Sequence, residues 1–151
     1  EYARLTRALA DAIADPRYKL FLPVRTLQLR RRDPRLFERG EYLPLKVTGA
    51  RAPHLCAFAR RLEGRLAVVL APRLYLKLVG AGACADGPQR PPLGAEVWAD
   101  TAVQLPSTLD VPLRGVLDGA EVPLSAGEGP PTLRAAAALQ SFPVALLTGR
   151  G

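Results

Sequence analysis

His54 is the only histidine in the chain, so any Ser-His-Asp or Cys-His mechanism would have to run through it. Its nucleophile would be Ser107, Ser125, Ser141 or one of the two cysteines, yet no Gly-x-Ser-x-Gly elbow surrounds any serine. His54 therefore reads as a residue at the start of a strand. Cys56 and Cys84 are too few for a disulfide framework and lack the paired spacing of a zinc site, which points to two reduced thiols in a cytoplasmic protein with no metal and no cofactor. Two-carboxylate glycosidase chemistry needs acids facing each other across a cleft. Here Asp and Glu occur singly among basic residues and turns, and no catalytic residue is assigned.

Three further constellations invite chemistry. Gly80-Ala81-Gly82-Ala83-Cys84-Ala85 has the written form of a dinucleotide-binding turn, but Asp86-Gly87-Pro88 and Pro91-Pro92 leave no room for the helix whose N-terminus must face the pyrophosphate. Arg30-Arg31-Arg32, with Arg35 and Arg39, is the densest basic patch. Consecutive residues spread around a helix rather than forming a stripe, so a solvated helix end at the negative pole of the dipole is favoured over a nucleic-acid surface, which remains the third reading. Trp98 is the sole tryptophan, and it and Tyr42 are the candidate platforms on which a sugar ring could stack; the competing reading of Trp98 is a core residue.

The elements that would carry these residues change character along the chain. Tyr2, Leu5, Leu9, Ala12 and Ile13 recur at helical spacing and predict a short packed helix. Asp15-Pro16 opens a second helix that carries Leu20, Val24 and Leu27 to Arg32, with a kink or a late start at Pro23, and Asp33-Pro34 closes it. Beyond Gly40 the period becomes two. A hairpin is expected between Cys56–Leu62 and Leu66–Ala71 across Glu63-Gly64, with Leu66–Leu70 central because it is apolar on both faces. Further strands are expected at 42–47, 74–79, 96–98, 103–105, 115–117, 121–124 and 144–147, one or two helical turns at 133–139, and a loop at 80–94.

With 151 residues, one core is expected. The net charge is +7, and residues 1–40 hold ten Lys/Arg against five Asp/Glu, so the excess lies on the helical front; only three of the basic residues are lysine, which suits a GC-rich genome. No run approaches the ~18 apolar residues of a membrane span. The chain begins with Glu1, contains no Met and opens in mid-helix, and is expected to be a segment of a longer polypeptide.

The stretch Leu36-Phe37-Glu38-Arg39-Gly40-Glu41-Tyr42-Leu43-Pro44-Leu45, then His54 to Arg61, Leu66 to Arg73, Val97-Trp98-Ala99-Asp100-Thr101 with Leu105-Pro106, and Phe142 to Leu147 together resemble, in order, the end of the maltooligosyl trehalose synthases of the α-amylase superfamily. The run Leu113 to Gly119 departs from that pattern. The resemblance implies a mainly β chain: an antiparallel β-sandwich C-terminal domain at 41–151, preceded at 1–40 by two α-helices from the end of a (β/α)8 barrel. It also implies that the catalytic carboxylates lie upstream on that barrel, which is the partner of this domain within one polypeptide, with maltooligosaccharide as a ligand to test. The excised surface would then favour self-association.

Overall fold

The computed structural model describes residues 2–12, 15–80, 91–106, 112–125 and 129–150. Cys84, Ser107 and residues 81–85 of the glycine-rich turn lie outside them, as does most of the 80–94 loop.

Three helices come first. Helix α1 (Tyr2–Asp11) buries Thr6, Leu9 and Ala10. Helix α2 (Pro16–Arg32) is opened by Asp15, whose carboxylate accepts the Arg17 N–H at 2.8 Å, and by Pro16, whose missing donor costs nothing at a helix start. It continues through Pro23, so the alternative of a start beyond that residue is not realised. Asp33 ends α2 and at once caps α3 (Pro34–Glu38) by accepting the Leu36 N–H. The same Asp33 carboxylate accepts from Arg65 Nη1 at 2.6 Å, and Arg35 pairs with Glu63 at 2.8 Å, which ties the helical front to the sheet.

The β region has nine strands among the described residues. A six-stranded antiparallel sheet has the order β1 (Glu41–Pro44), β3 (Leu55–Leu62), β4 (Arg65–Pro72), β9 (Ala145–Arg150), β6 (Leu113–Gly115) and β7 (Glu121–Val122). A three-stranded sheet has the order β2 (Val47–Thr48), β5 (Ala102–Gln104) and β8 (Thr132–Arg134). The β3–β4 hairpin forms as its alternation requires: Leu62 faces Arg65, and Glu63 and Gly64 both take positive φ (49° and 73°), the two-residue turn whose twist matches the strands. Its second strand is central, flanked by β3 and β9.

One core joins the two sheets. Leu55, Ala57, Ala59, Leu66, Val68 and Leu70 from the large sheet meet Val103 and Leu133 from the small one around Trp98, Leu105, Leu113 and Leu139. Each fully buried aliphatic side chain there contributes about 1.5–3 kcal/mol relative to exposure. A second, smaller cluster of Leu9, Ala10, Leu117 and Phe142, with Tyr18, Phe21 and Leu22 against it, seats α1 and α2 on the β region.

Several expected strands are otherwise. Residues 75–79 form helix α4 (Tyr75–Val79), entered from Leu74 at φ 54°. Residues 96–98 belong to helix α5 (Gly94–Trp98), not to a strand. The segment at 133–139 divides into β8 and the helical turn α6 (Ala135–Ala138), and β6 ends at Gly115 rather than beginning there. The stretches that form α4 and α5 are five residues each, too short to distinguish period 2 from period 3.6.

Candidate functional site

Ser141 Oγ donates to Asp118 Oδ2 at 2.6 Å, while Asp118 Oδ1 accepts the Ala120 N–H at 3.0 Å. Both carboxylate oxygens are thus engaged in local turn bonds. This pair borders a cleft of about 560 Å³ between α1, the β6–β7 hairpin, α6 and the start of β9, rimmed by Arg4, Arg7, Asp11 and Glu121 over a floor that includes Leu117 and Phe142. His54 does not line it. A serine hydrogen-bonded directly to a carboxylate, with no imidazole beside it, is not an activated nucleophile, because a carboxylate is too weak a base to take a hydroxyl proton. His54 instead ends a 3-10 turn (Ala52–His54), and its Nδ1 is buried without a hydrogen-bond partner among the described residues. Ser125 is exposed at an isolated bridge with Thr132, and Cys56 is an exposed free thiol on β3. No cluster of three or more His, Cys, Asp or Glu that could hold a metal occurs among the described residues, and no described helix is long and apolar enough to cross a membrane.

The two candidate sugar platforms have opposite fates. Trp98 is 0% exposed, and its indole N–H donates to the Pro92 carbonyl at 2.8 Å. In this conformation it offers no ring face to a ligand and belongs to the core. Tyr42 is 55% exposed on edge strand β1. Pairing of Tyr42 with Arg60 and of Pro44 with Phe58 puts Tyr42, Phe58 and Arg60 on the outer face of the large sheet, because Leu55, Ala57 and Ala59 turn the other way into the core. The Tyr42 and Phe58 rings are 5.4 Å apart and tilted by 33°, and the Arg60 guanidinium carbon is 5.8 Å from the Tyr42 centroid. Phe58 and Arg60 were not singled out from the sequence, since only the strand register brings them to Tyr42.

The helical front carries the most exposed apolar surface. Leu20, Val24 and Leu27, at i, i+4 and i+7, form a stripe along α2 and are 65%, 49% and 60% exposed, with Tyr2 and Leu5 of α1 also open. Helix α2 buries no residue fully. Its opposite side does the packing: Tyr18 stacks on Phe142 with centroids 4.9 Å apart, Phe21 meets the same ring edge-on at 5.9 Å, and burial, with a smaller repulsion from Tyr75, pushes the Tyr18 phenol above its ordinary pKa. Arg25 is not part of a free basic patch. Its guanidinium lies 4.1 Å from the Tyr2 ring centroid and donates to the Val116 carbonyl from Nη2 at 2.6 Å, linking α1, α2 and the turn after β6. Arg30, Arg31 and Arg32 are exposed at the end of α2.

Two antiparallel sheets sharing a core behind a helical front define a mainly β C-terminal domain of the kind the sequence resemblance implies. No family model matches the chain, and no curated protein matches it. Among solved structures, a mutant of maltooligosyltrehalose synthase from Arthrobacter ramosus is 35% identical, with a TM-score of 0.54 over 82% of this chain and 12% of that one. A maltogenic α-amylase from Thermotoga neapolitana is 8% identical, with a TM-score of 0.49 over 78% of this chain and 22% of that one. The chain belongs to the maltooligosyltrehalose synthase family and spans about an eighth of the length of that Arthrobacter relative.

Proposed function

We propose that the chain is a non-catalytic C-terminal domain of a cytoplasmic maltooligosyl trehalose synthase, an enzyme that moves the reducing-end glucose of a maltooligosaccharide from an α-1,4 to an α,α-1,1 linkage. Residues 1–40 close the catalytic (β/α)8 barrel and residues 41–151 form the β domain attached to it. The catalytic carboxylates belong to the barrel, which a chain of 151 residues cannot contain, since such barrels take about 250 residues.

The observation that carries this reading is the stripe of Leu20, Val24 and Leu27. Helix α2 packs one side on the β region through Tyr18 and Phe21 and leaves an apolar side open. Three large apolar side chains exposed in line on a surface helix mark a contact surface for a partner. The barrel of the same polypeptide is a partner of the right chemistry, and most of the Arthrobacter relative's length lies outside the match. Incubating the chain with maltohexaose tests the proposal: no non-reducing product is expected, and its appearance would overturn the assignment. A second reading, a carbohydrate-binding module, is favoured by the exposure of Tyr42 beside Arg60.

A further inference from the structure

We propose that Tyr42, Phe58 and Arg60 form a contact site for a neutral α-glucan chain on the outer face of the large sheet, separate from the α2 stripe; the identity of the ligand rests on the functional reading above.

Three features of the site point to a sugar rather than to a protein surface. The first is the ring itself. Tyr42 stands on an edge strand with more than half its surface open, with Phe58 beside it at 5.4 Å and the Arg60 guanidinium 5.8 Å from its ring centroid. A pyranose ring presents a patch of C–H groups of matching size, and an aromatic face takes such a patch at little entropic cost because only two torsions need to be fixed.

The second is the guanidinium. Arg60 Nη1 donates to the Gly40 carbonyl at 2.9 Å, which fixes the orientation of the group beside Tyr42. Its Nε and Nη2 make no hydrogen bond among the described residues. Directed N–H donors beside an aromatic ring match the hydroxyls of a glucose unit, whose oxygens accept. The third is what the alternative would cost. Docking of an apolar protein face here would take the Arg60 charge out of water, and among the described residues no carboxylate pairs with it, an unfavourable exchange.

One ring with one donor group gives a weak site, with a Kd on the order of 1 mM for a glucan of several units. The test is a titration of the 151-residue chain with maltohexaose, followed by backbone and aromatic NMR shifts, with Tyr42→Ala and Tyr42→Phe as variants. Shifts are expected at Tyr42, Phe58 and Arg60, with affinity lowered about fivefold or more in Tyr42→Ala and kept in Tyr42→Phe. An exposed edge-strand site leaves the melting temperature of Tyr42→Phe unchanged, so that variant serves as the check if the alanine variant is misfolded. No shifts at these three residues at saturating maltohexaose, or shifts confined to another surface, would overturn the site. That outcome leaves the proposed role of the domain standing, because that role is tested by turnover and by the α2 stripe rather than by Tyr42.

Discussion

Thr101 Oγ1 accepts the backbone N–H of Arg51 at 3.1 Å, and Thr101 is completely buried. The residue before it does the same service one position earlier, where Asp100 Oδ1 accepts the Ala50 N–H at 2.9 Å. Together they clasp the turn that leads from β2 into β3. Gly49 lies under the clasp at φ +95°, where an added Cβ would come within 2.7 Å of the Thr101 Cα. The Trp98-Ala99-Asp100-Thr101 segment, one of the motifs on which the family resemblance rests, is thus accounted for by architecture: Trp98 fills the core and Asp100 and Thr101 hold a distant turn.

Thr101→Val keeps the shape of the side chain but removes the acceptor, stranding the Arg51 N–H. The expected cost is about 1–3 kcal/mol, measured as a lower urea midpoint with an unchanged m-value. Gly49→Ala should destabilise through the same contact, so the double variant is expected to fall short of the sum of the two. Additive losses would show that the clasp and the glycine act independently.

The burial of Trp98 has a spectroscopic consequence. Its emission should be blue-shifted and poorly quenched by iodide in the native chain, and maltohexaose should leave it unaltered, since the ring has no free face. Trp98→Ala should cost about 3–5 kcal/mol as a large core truncation. Trp98→Phe should cost less but more than a surface change, because the Pro92 carbonyl loses the indole donor. Iodide quenching as efficient as that of the unfolded chain would contradict the placement.

What could be seen in the sequence, and what could not, divides along physical lines. The β3–β4 hairpin was legible because eight residues on each side alternate and Glu63-Gly64 supplies the turn. The start of α2 was legible because Asp15-Pro16 is a cap followed by a residue that needs no partner for its missing donor. Helices α4 and α5 were not, since each is five residues long, too short for a period, and each is entered or left through a positive φ at Leu74, Gly94 or Ala99 that no residue type there announces except the glycine. What the α2 stripe meets was not legible for a different reason. Leu20, Val24 and Leu27 form a proper stripe, but the aromatic residues on the other side make the contact with the β region, and spacing alone does not say which of two apolar sides meets which neighbour. The company of Tyr42 was hidden because it is set by register, in which Tyr42 faces Arg60 across more than a dozen residues of intervening chain.

Asp15 gives the helical front a pH dependence. Hydrogen bonds from the Arg17 side chain, and then from the Arg17 backbone N–H, hold its carboxyl below the ordinary carboxylate range. A depressed folded-state pKa means that the cap's contribution is fully present above the unfolded value and is lost as pH falls through the folded one. The carboxyl resonance of Asp15 should therefore titrate with a midpoint below that of an ordinary aspartate, and the Arg17 amide should move with it as α2 frays from its first turn. In Arg17→Ala the midpoint should rise toward the ordinary value. A midpoint at or above that value in the unaltered chain would mean that the cap does not form in solution.

The α2 stripe makes a prediction about the chain by itself. The open side formed by Leu20, Val24 and Leu27 is an exposed apolar stripe of the kind that drives association. Light scattering should report a mass above that of the monomer, rising with concentration. Replacing Leu20, Val24 and Leu27 together with Gln removes the apolar surface without adding charge, and Gln suits a helix at least as well as Val. The variant should be monomeric, and because the three side chains are about half exposed or more, its thermal stability should change by no more than about 0.5 kcal/mol per site. A large loss of stability would place the stripe inside the domain's own packing. Unchanged association would assign self-contact to another surface and remove the physical ground for docking the barrel on α2.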